Sequence, residues 1–279
     1  MRALFGACIN DEFAALTIET SCADYGAKRF LLRMSDIALG PTILVDNYDA
    51  ERVRPCHYRG LPIYAYEDIH LMAASVALDY FVPQGKVIDL GAGAGALSLR
   101  LADAGYDVTA FDYAADNFRL HGQVPFVCAD LNDDFASSIA PQSLDAVVAV
   151  EIVEHLENPR NLVRQAMLAL KPGGYLFMTT PNVDSCFSLL SQLRYGHPDL
   201  FTEQCYRSDG HITPVSAWLL RHAVAEVGME TVFCRSFGEH APGWWKYRAA
   251  MWLLRRFVGD KELAAGSTVG LLARKPPTA

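Results

Sequence analysis

Two groups of residues in this 279-residue chain have types and spacing suited to chemistry. The first is Glu151-Ile-Val-Glu-His155. In a helical segment Glu151, Glu154 and His155 stand at i, i+3 and i+4 and share one face. Two carboxylates and an imidazole converging there suit a divalent cation such as Mg²⁺ or Mn²⁺, with oxygen donors predominating. The competing reading is a solvated acidic turn in which His155 bonds the backbone. The second group is Asp89-Leu-Gly-Ala-Gly-Ala-Gly-Ala96.

Glycines at 91, 93 and 95 let the chain turn tightly and approach a ligand, and the helix N-terminus behind them offers unpaired N–H groups. An ordinary strand-to-helix turn does not need three alternating glycines. Gly91, Gly93 and Ala96 also satisfy the dinucleotide spacing, with Asp112 about twenty residues on, where a ribose-binding acid belongs. Asp89 separates the two ligands. Its carboxylate opposes a pyrophosphate and attracts a ligand carrying an ammonium and a sulfonium. S-adenosylmethionine is such a ligand and has no phosphate, so electrostatics favours it over NAD.

Apolar runs and helical patterns must position these groups. Lys86–Leu90, Val108–Phe111 (ending at Asp112), Phe126–Cys128, Leu144–Val150 and Tyr175–Thr180 read as five strands. Gly95–Ala104 reads as a helix between the first two. Asn158-Pro159 starts another, Asn as cap and Pro at the first helical position, and Lys171-Pro-Gly-Gly174 ends it. Glu67–Phe81 is a further helix, and Thr213-Pro214 caps one that stops at Gly228. Glu230–Phe237 and Ser267–Ala273 read as late strands, and Ile43–Val45 as an early one. Strands alternating with helices from residue 86 onward indicate a parallel sheet covered by helices. Residues 181–213 carry little periodicity, so they form a functional loop or hold short helices.

Hydrophobic residues make up 51% of the chain and charged ones 20%, which excludes disorder. Twenty-four Lys and Arg against 32 Asp and Glu leave a net charge of −8, which argues against non-specific nucleic-acid binding. The seven cysteines are scattered singly and form neither a disulfide framework nor a thiolate zinc site. No leader and no run of about 18 apolar residues is evident, so a soluble, cytoplasmic protein is expected. Gly243–Val258 is basic, aromatic and compatible with a helix. It reads first as the helix between the last two strands, its tryptophans buried against the sheet, and second as an interfacial helix at a membrane.

Val87-Ile-Asp-Leu-Gly-Ala-Gly-Ala-Gly95 resembles the first motif of class I S-adenosylmethionine-dependent methyltransferases. Leu144–Glu151 resembles their fourth strand, and Leu170–Phe177 their helix exit and fifth strand. The resemblance spans roughly residues 66–279. It implies a seven-stranded Rossmann-like α/β sheet in the order 3-2-1-4-5-7-6, helices on both faces, and an N-terminal extension or cap over residues 1–65. It also implies cofactor contacts from Asp89, Gly91, Ala92, Gly93, Gly95, Asp112, Tyr113, Asp130, Leu131 and Glu151. The Glu-x-x-Glu-His cluster resembles that of the ubiquinone-biosynthesis O-methyltransferases and of the 2′-O-methyltransferases of small RNAs. There, with a later His, it is associated with a metal that holds vicinal oxygens of the acceptor. That adds His211 in Gly210-His-Ile-Thr-Pro214 to Glu151, Glu154 and His155 as ligands, with His197 as competitor. The resemblance implies methyl transfer to an oxygen of a small molecule or glycan, Glu151, His155 and His211 being catalytic and residues 181–213 forming the acceptor loop. Tyr64, Tyr66, Tyr195 and Tyr206 are candidates to line the acceptor pocket. A metal-free N-methyltransferase, an NAD-dependent oxidoreductase, a cofactor-binding protein without turnover and, against the charge, an RNA methyltransferase are the other readings.

Overall fold

The computed structural model describes residues 56–238 and 245–277. An antiparallel hairpin of β1 (His57–Tyr58) and β2 (Leu61–Pro62) leads into helix α1 (Glu67–Tyr80). Then follow β3 (Lys86–Leu90), α2 (Ala96–Asp103), β4 (Asp107–Asp112), β5 (Phe126–Cys128), β6 (Leu144–Ala149) and α3 (Pro159–Ala169). The remainder is β7 (Leu170–Pro181), α4 (Cys186–Tyr195), α5 (Ala217–Glu226), β8 (Glu230–Phe237), α6 (Trp245–Leu254) and β9 (Thr268–Arg274). Strands β3 to β9 form one seven-stranded sheet in the order β5-β4-β3-β6-β7-β9-β8. Counted from β3 this is 3-2-1-4-5-7-6, with β9 antiparallel to both neighbours, as the resemblance implied.

Burial of both sheet faces explains why β6 reads as an unbroken apolar run. Ala146 and Val148 share a core with Met72 and Val76 of α1 and Leu97 and Leu101 of α2. Val147 and Ala149 alternate to the other face and pack with Leu162 and Ala166 of α3 and Leu220 and Val224 of α5. The start of α3 is where the sequence places it, since the Asn158 side chain accepts from Asn161 N–H and Pro159 needs no donor there.

Four expectations need correction. Strand β7 begins at Leu170, so Lys171–Gly174 belongs to it: β6 pairs Leu144 with Leu170 and then Ala146 with Tyr175, the extra residues bulging out. Helix α5 starts at Ala217, capped by the Ser216 hydroxyl, because Thr213 spends its own hydroxyl on the Leu156 carbonyl. Helix α6 does lie between β8 and β9, but Met251 and Leu254 pack it on Cys186, Phe187 and Leu190 of α4 rather than on the sheet. Its Trp252 is exposed. Fourth, Glu151-Ile-Val-Glu-His155 is not a helix: Glu151 has φ +49° and only Val153–His155 form a single 3₁₀ turn. Ile43–Val45 and most of the 1–65 extension lie outside the described residues. Within the described part, Leu61 and Ile63 are buried in the core that α1 and α2 share.

Candidate active site

Strand order reverses between β3 and β6, which pair with each other while their onward connections run to opposite sides. Ligands of open parallel sheets bind outside the carboxyl ends of the strands at such a point. The glycine loop after β3, Asp112 at the end of β4, Glu151 after β6, and Thr179 and Thr180 near the end of β7 all meet at this edge.

The glycine loop is confined on every side. Gly91, Gly93 and Gly95 all have positive φ. A Cβ on Gly91 would stand 2.7 Å from Ile152, one on Gly93 2.9 Å from the Tyr64 ring, and one on Gly95 2.8 Å from Leu120. Gly93 N–H donates to Asp112 Oδ2 and Ala114 N–H to Asp112 Oδ1, both at 2.8 Å. Those two bonds fix the carboxylate's plane, and each oxygen keeps a lone pair for a ribose hydroxyl. Asp89 is 1% exposed and accepts from the Ser98 hydroxyl at 2.6 Å. Burial, with Asp112 nearby, pushes its carboxyl up to about 7. A buried acid with one neutral partner gains from a cationic ligand, and the cradle therefore fits S-adenosylmethionine.

Among the remaining cofactor candidates, Leu131 is buried and Asp130 lies in an exposed turn, its Oδ1 accepting from the backbone and side-chain nitrogens of Asn132. Tyr113 is largely exposed beside Asp112. Ala92 is buried in the loop, with its N–H donated to the Phe111 carbonyl.

Beyond the loop, Glu154, His155 and His211 offer ligand atoms within 4.8 Å of one another. The segment 205–213, a π-helical turn over Cys205–Asp209 and the residues after it, delivers His211 by clamping onto the 153–156 turn. Ile212 and Thr213 N–H groups both donate to the Glu154 carbonyl, and the Thr213 hydroxyl donates to the Leu156 carbonyl at 2.6 Å. His155 Nδ1–H donates to the Gly210 carbonyl at 3.1 Å, and His211 Nδ1–H to the Leu200 carbonyl at 2.7 Å. Carbonyls only accept, so Nδ1 of each ring carries a proton, and the tautomer with a lone pair on Nε2 is the one these bonds favour. Burial and His211 hold His155 below its ordinary range, which keeps it neutral. Glu154 is buried, with Oε2 accepting from Thr180 at 3.0 Å and Oε1 without a hydrogen-bond partner.

Glu151 stands apart from that trio. Its N–H donates to Thr179 Oγ1, whose hydroxyl donates back to Glu151 Oε1 at 2.7 Å. Burial and the charge of Asp68, in the first turn of α1, push its carboxyl up to about 7. Burial and Glu151 push Glu154 up as well. Glu151 and Glu154 are thus two poorly solvated acids, the first close enough to raise the second, an arrangement that a cation relieves.

The structure brings together three of the four proposed metal ligands, Glu154, His155 and His211, whereas His197 bonds the Pro198 carbonyl and stacks on Tyr195. Of the candidate tyrosines, Tyr64 covers Gly93 and Tyr206 is exposed. Sequence reasoning missed Thr179, Thr180, Ser98 and Asp68. The two threonines are adjacent on a strand, so their side chains leave in opposite directions and serve different glutamates. No spacing rule pairs them with Glu151 and Glu154 before β6 and β7 are placed side by side.

A family described as a methyltransferase domain matches residues 64–232. The chain belongs to the class I S-adenosylmethionine-dependent methyltransferases. This methyltransferase is 37% identical over 129 residues to a ubiquinone biosynthesis O-methyltransferase of Xanthomonas campestris, covering 43% of this chain and 52% of that protein. The chain thus spans about half the length of the curated relatives it matches. A solved methyltransferase of Archaeoglobus fulgidus shares the fold at 19% identity and TM-score 0.55, over 74% of this chain and 94% of its own. A Burkholderia thailandensis N1-methyltransferase shares it at 14% identity and TM-score 0.51, over 75% and 79%. That pair of neighbours establishes the methyltransferase fold and leaves the attacked atom to the site itself.

Proposed function

We propose that this methyltransferase transfers a methyl group to an oxygen of a small molecule or glycan bearing neighbouring hydroxyls, assisted by a divalent cation. The observation that carries the reading is the buried, unpartnered Glu154 Oε1 facing two imidazoles whose Nδ1 protons are already committed to carbonyls. Metal-ligating histidines are oriented in this way by the bond their other nitrogen makes. An amine acceptor needs no such set, since its own lone pair attacks once it is neutral.

S-adenosylmethionine supplies an electrophilic methyl group on a sulfonium, with the thioether of S-adenosylhomocysteine as leaving group. Glu154, His155 and His211 would hold Mg²⁺ or Mn²⁺, which lowers the pKa of a bound hydroxyl. Asp89, Asp112 and the glycine loop hold the donor still, so that catalysis is chiefly alignment. Without a bound cation, Nε2 of His155 or His211 would instead accept the proton that the acceptor hydroxyl loses. Glu151 is held in a left-handed conformation beside Thr179, whose hydroxyl donates to it.

The test is transfer from labelled S-adenosylmethionine to catechols, vicinal diols and matched amines with Mn²⁺ present. Methylation of a catechol or diol, lowered about 10²- to 10⁴-fold by His155→Ala and by His211→Ala, is the expected result. Full turnover in both variants, or methylation of amines alone, refutes the assignment.

A further inference from the structure

The segment from Gly243 to Gly259 contains Lys246, Arg248, Arg255 and Arg256 and no acid, in a chain whose net charge is −8. Of the side chains described there, the large apolar ones that do not meet α4 point outward. Trp252 is 63% exposed and Phe257 77%, and on the neighbouring α4 Leu193 is 79% exposed. Phe257 also borders a cleft of about 410 Å³ lined by Leu189 of α4, Trp218 of α5, Leu254, Val258 and Leu263, with Asp184, Arg221 and Asp260 among its polar lining. Arg256 sets its guanidinium 5.1 Å over the Trp252 ring. Arg194, Arg255 and Lys261 are also exposed around the patch.

Acids near the cleft are largely occupied. Asp260 is paired with Arg221 at 2.8 Å, and Asp184 caps α5 through Ala217 N–H at 2.7 Å. Glu262 is the exposed carboxylate of this stretch. The face is therefore apolar at its centre and cationic at its rim, on an otherwise acidic molecule. Tryptophan, with a polar N–H on an apolar body, and arginine, with a long stem, both suit the boundary between lipid headgroups and acyl chains.

We propose that the α4–α6 face docks on an anionic lipid bilayer, with Trp252 and Phe257 at the acyl boundary and Arg255 and Arg256 against the headgroups. No helix among the described residues is long and apolar enough to cross a membrane, so the contact is interfacial. A second copy of the chain is the weaker occupant, because a symmetric contact sets the arginines of one protomer against those of the other. Acceptor loop and docking face are contiguous in the chain: α4 begins five residues after β7 ends, and the loop carrying His211 joins α4 to α5. A docked enzyme would thus hold that loop next to the bilayer.

The full chain, saturated with S-adenosylhomocysteine, is floated with phosphatidylcholine vesicles and with vesicles of phosphatidylcholine and phosphatidylglycerol. Co-flotation with the anionic vesicles alone, weakening as salt is raised, is expected. Arg255→Glu with Arg256→Glu, and separately Trp252→Glu with Phe257→Glu, should each reduce it about tenfold or more. S-adenosylhomocysteine binding should be unchanged in both variants, which shows that they fold. As a readout needing no folding-sensitive change, brominated lipid should quench wild-type tryptophan fluorescence, and Trp252→Phe should remove part of that quenching. Absence of wild-type flotation, equal flotation of the variants, or a dimer in solution that the variants dissociate without any flotation overturns the proposal.

Discussion

Asp89 makes the cofactor's charge a measurable quantity. Its carboxyl is raised to about 7 by burial, so in the empty protein it contributes stability that is present below the ordinary carboxylate range and lost as pH rises through 7. A bound ammonium and sulfonium favour the ionised form and release the proton. Affinity for S-adenosylmethionine should therefore rise with pH between about 6 and 8 and then level off. Titration calorimetry in buffers of different ionisation enthalpy reads the proton directly. Asp89→Asn, which still accepts from Ser98, should flatten the profile and weaken binding about tenfold; a flat wild-type profile contradicts the role. Asp89, the glycines and Asp112 were legible in the sequence because loop spacing and charge sign are local properties. The histidines' tautomers were not, because the carbonyls of Gly210 and Leu200 that set them lie 55 and 11 residues away.

Among the elements, the loop from 205 to 213 decides whether a site exists at all. Thr213 anchors it to Leu156, and two N–H groups anchor it to Glu154, so His211 rides on three hydrogen bonds to the turn that carries its partners. Thr213→Val removes one bond while keeping the shape, and should cost about 1 kcal/mol of stability. Its larger effect should be on function: weaker Mn²⁺ binding with unchanged S-adenosylhomocysteine binding, read by calorimetry on the same sample. Equal loss of both ligands would mean that the loop supports the whole edge rather than the metal trio. Strands β3, β5 and β8 appear where the apolar runs place them, since each run is closed by turn residues or charge. Lys171–Gly174 misled because a proline and two glycines read as a stop, whereas a bulge opposite Asp145 accommodates them and Lys171 pairs with that Asp145. The 151–155 cluster misled because helical spacing and a single turn after a strained Glu151 present the same residue order.

At the scale of the molecule, the sheet order is built from crossovers between parallel strands, with one antiparallel strand slotted in last. That architecture joins the donor cradle at β3 and β4 to the acid and imidazole corner at β6 and β7. Occupying the cradle should stabilise the whole chain. S-adenosylhomocysteine at a hundred times its Kd should add about 2.7 kcal/mol to the unfolding free energy. NAD at the same concentration should add nothing, because Asp89 repels its pyrophosphate. Thermal unfolding with each ligand checks this, and equal stabilisation by NAD would contradict the electrostatic argument.

The measurement closest to the central claim is a calorimetric titration of Mn²⁺ into protein saturated with S-adenosylhomocysteine, wild type beside His155→Ala and Glu154→Gln. A single saturable site in the wild type, weakened about tenfold or more in each variant, is the predicted result. No wild-type binding, or binding that both variants retain, would contradict a metal held by Glu154, His155 and His211.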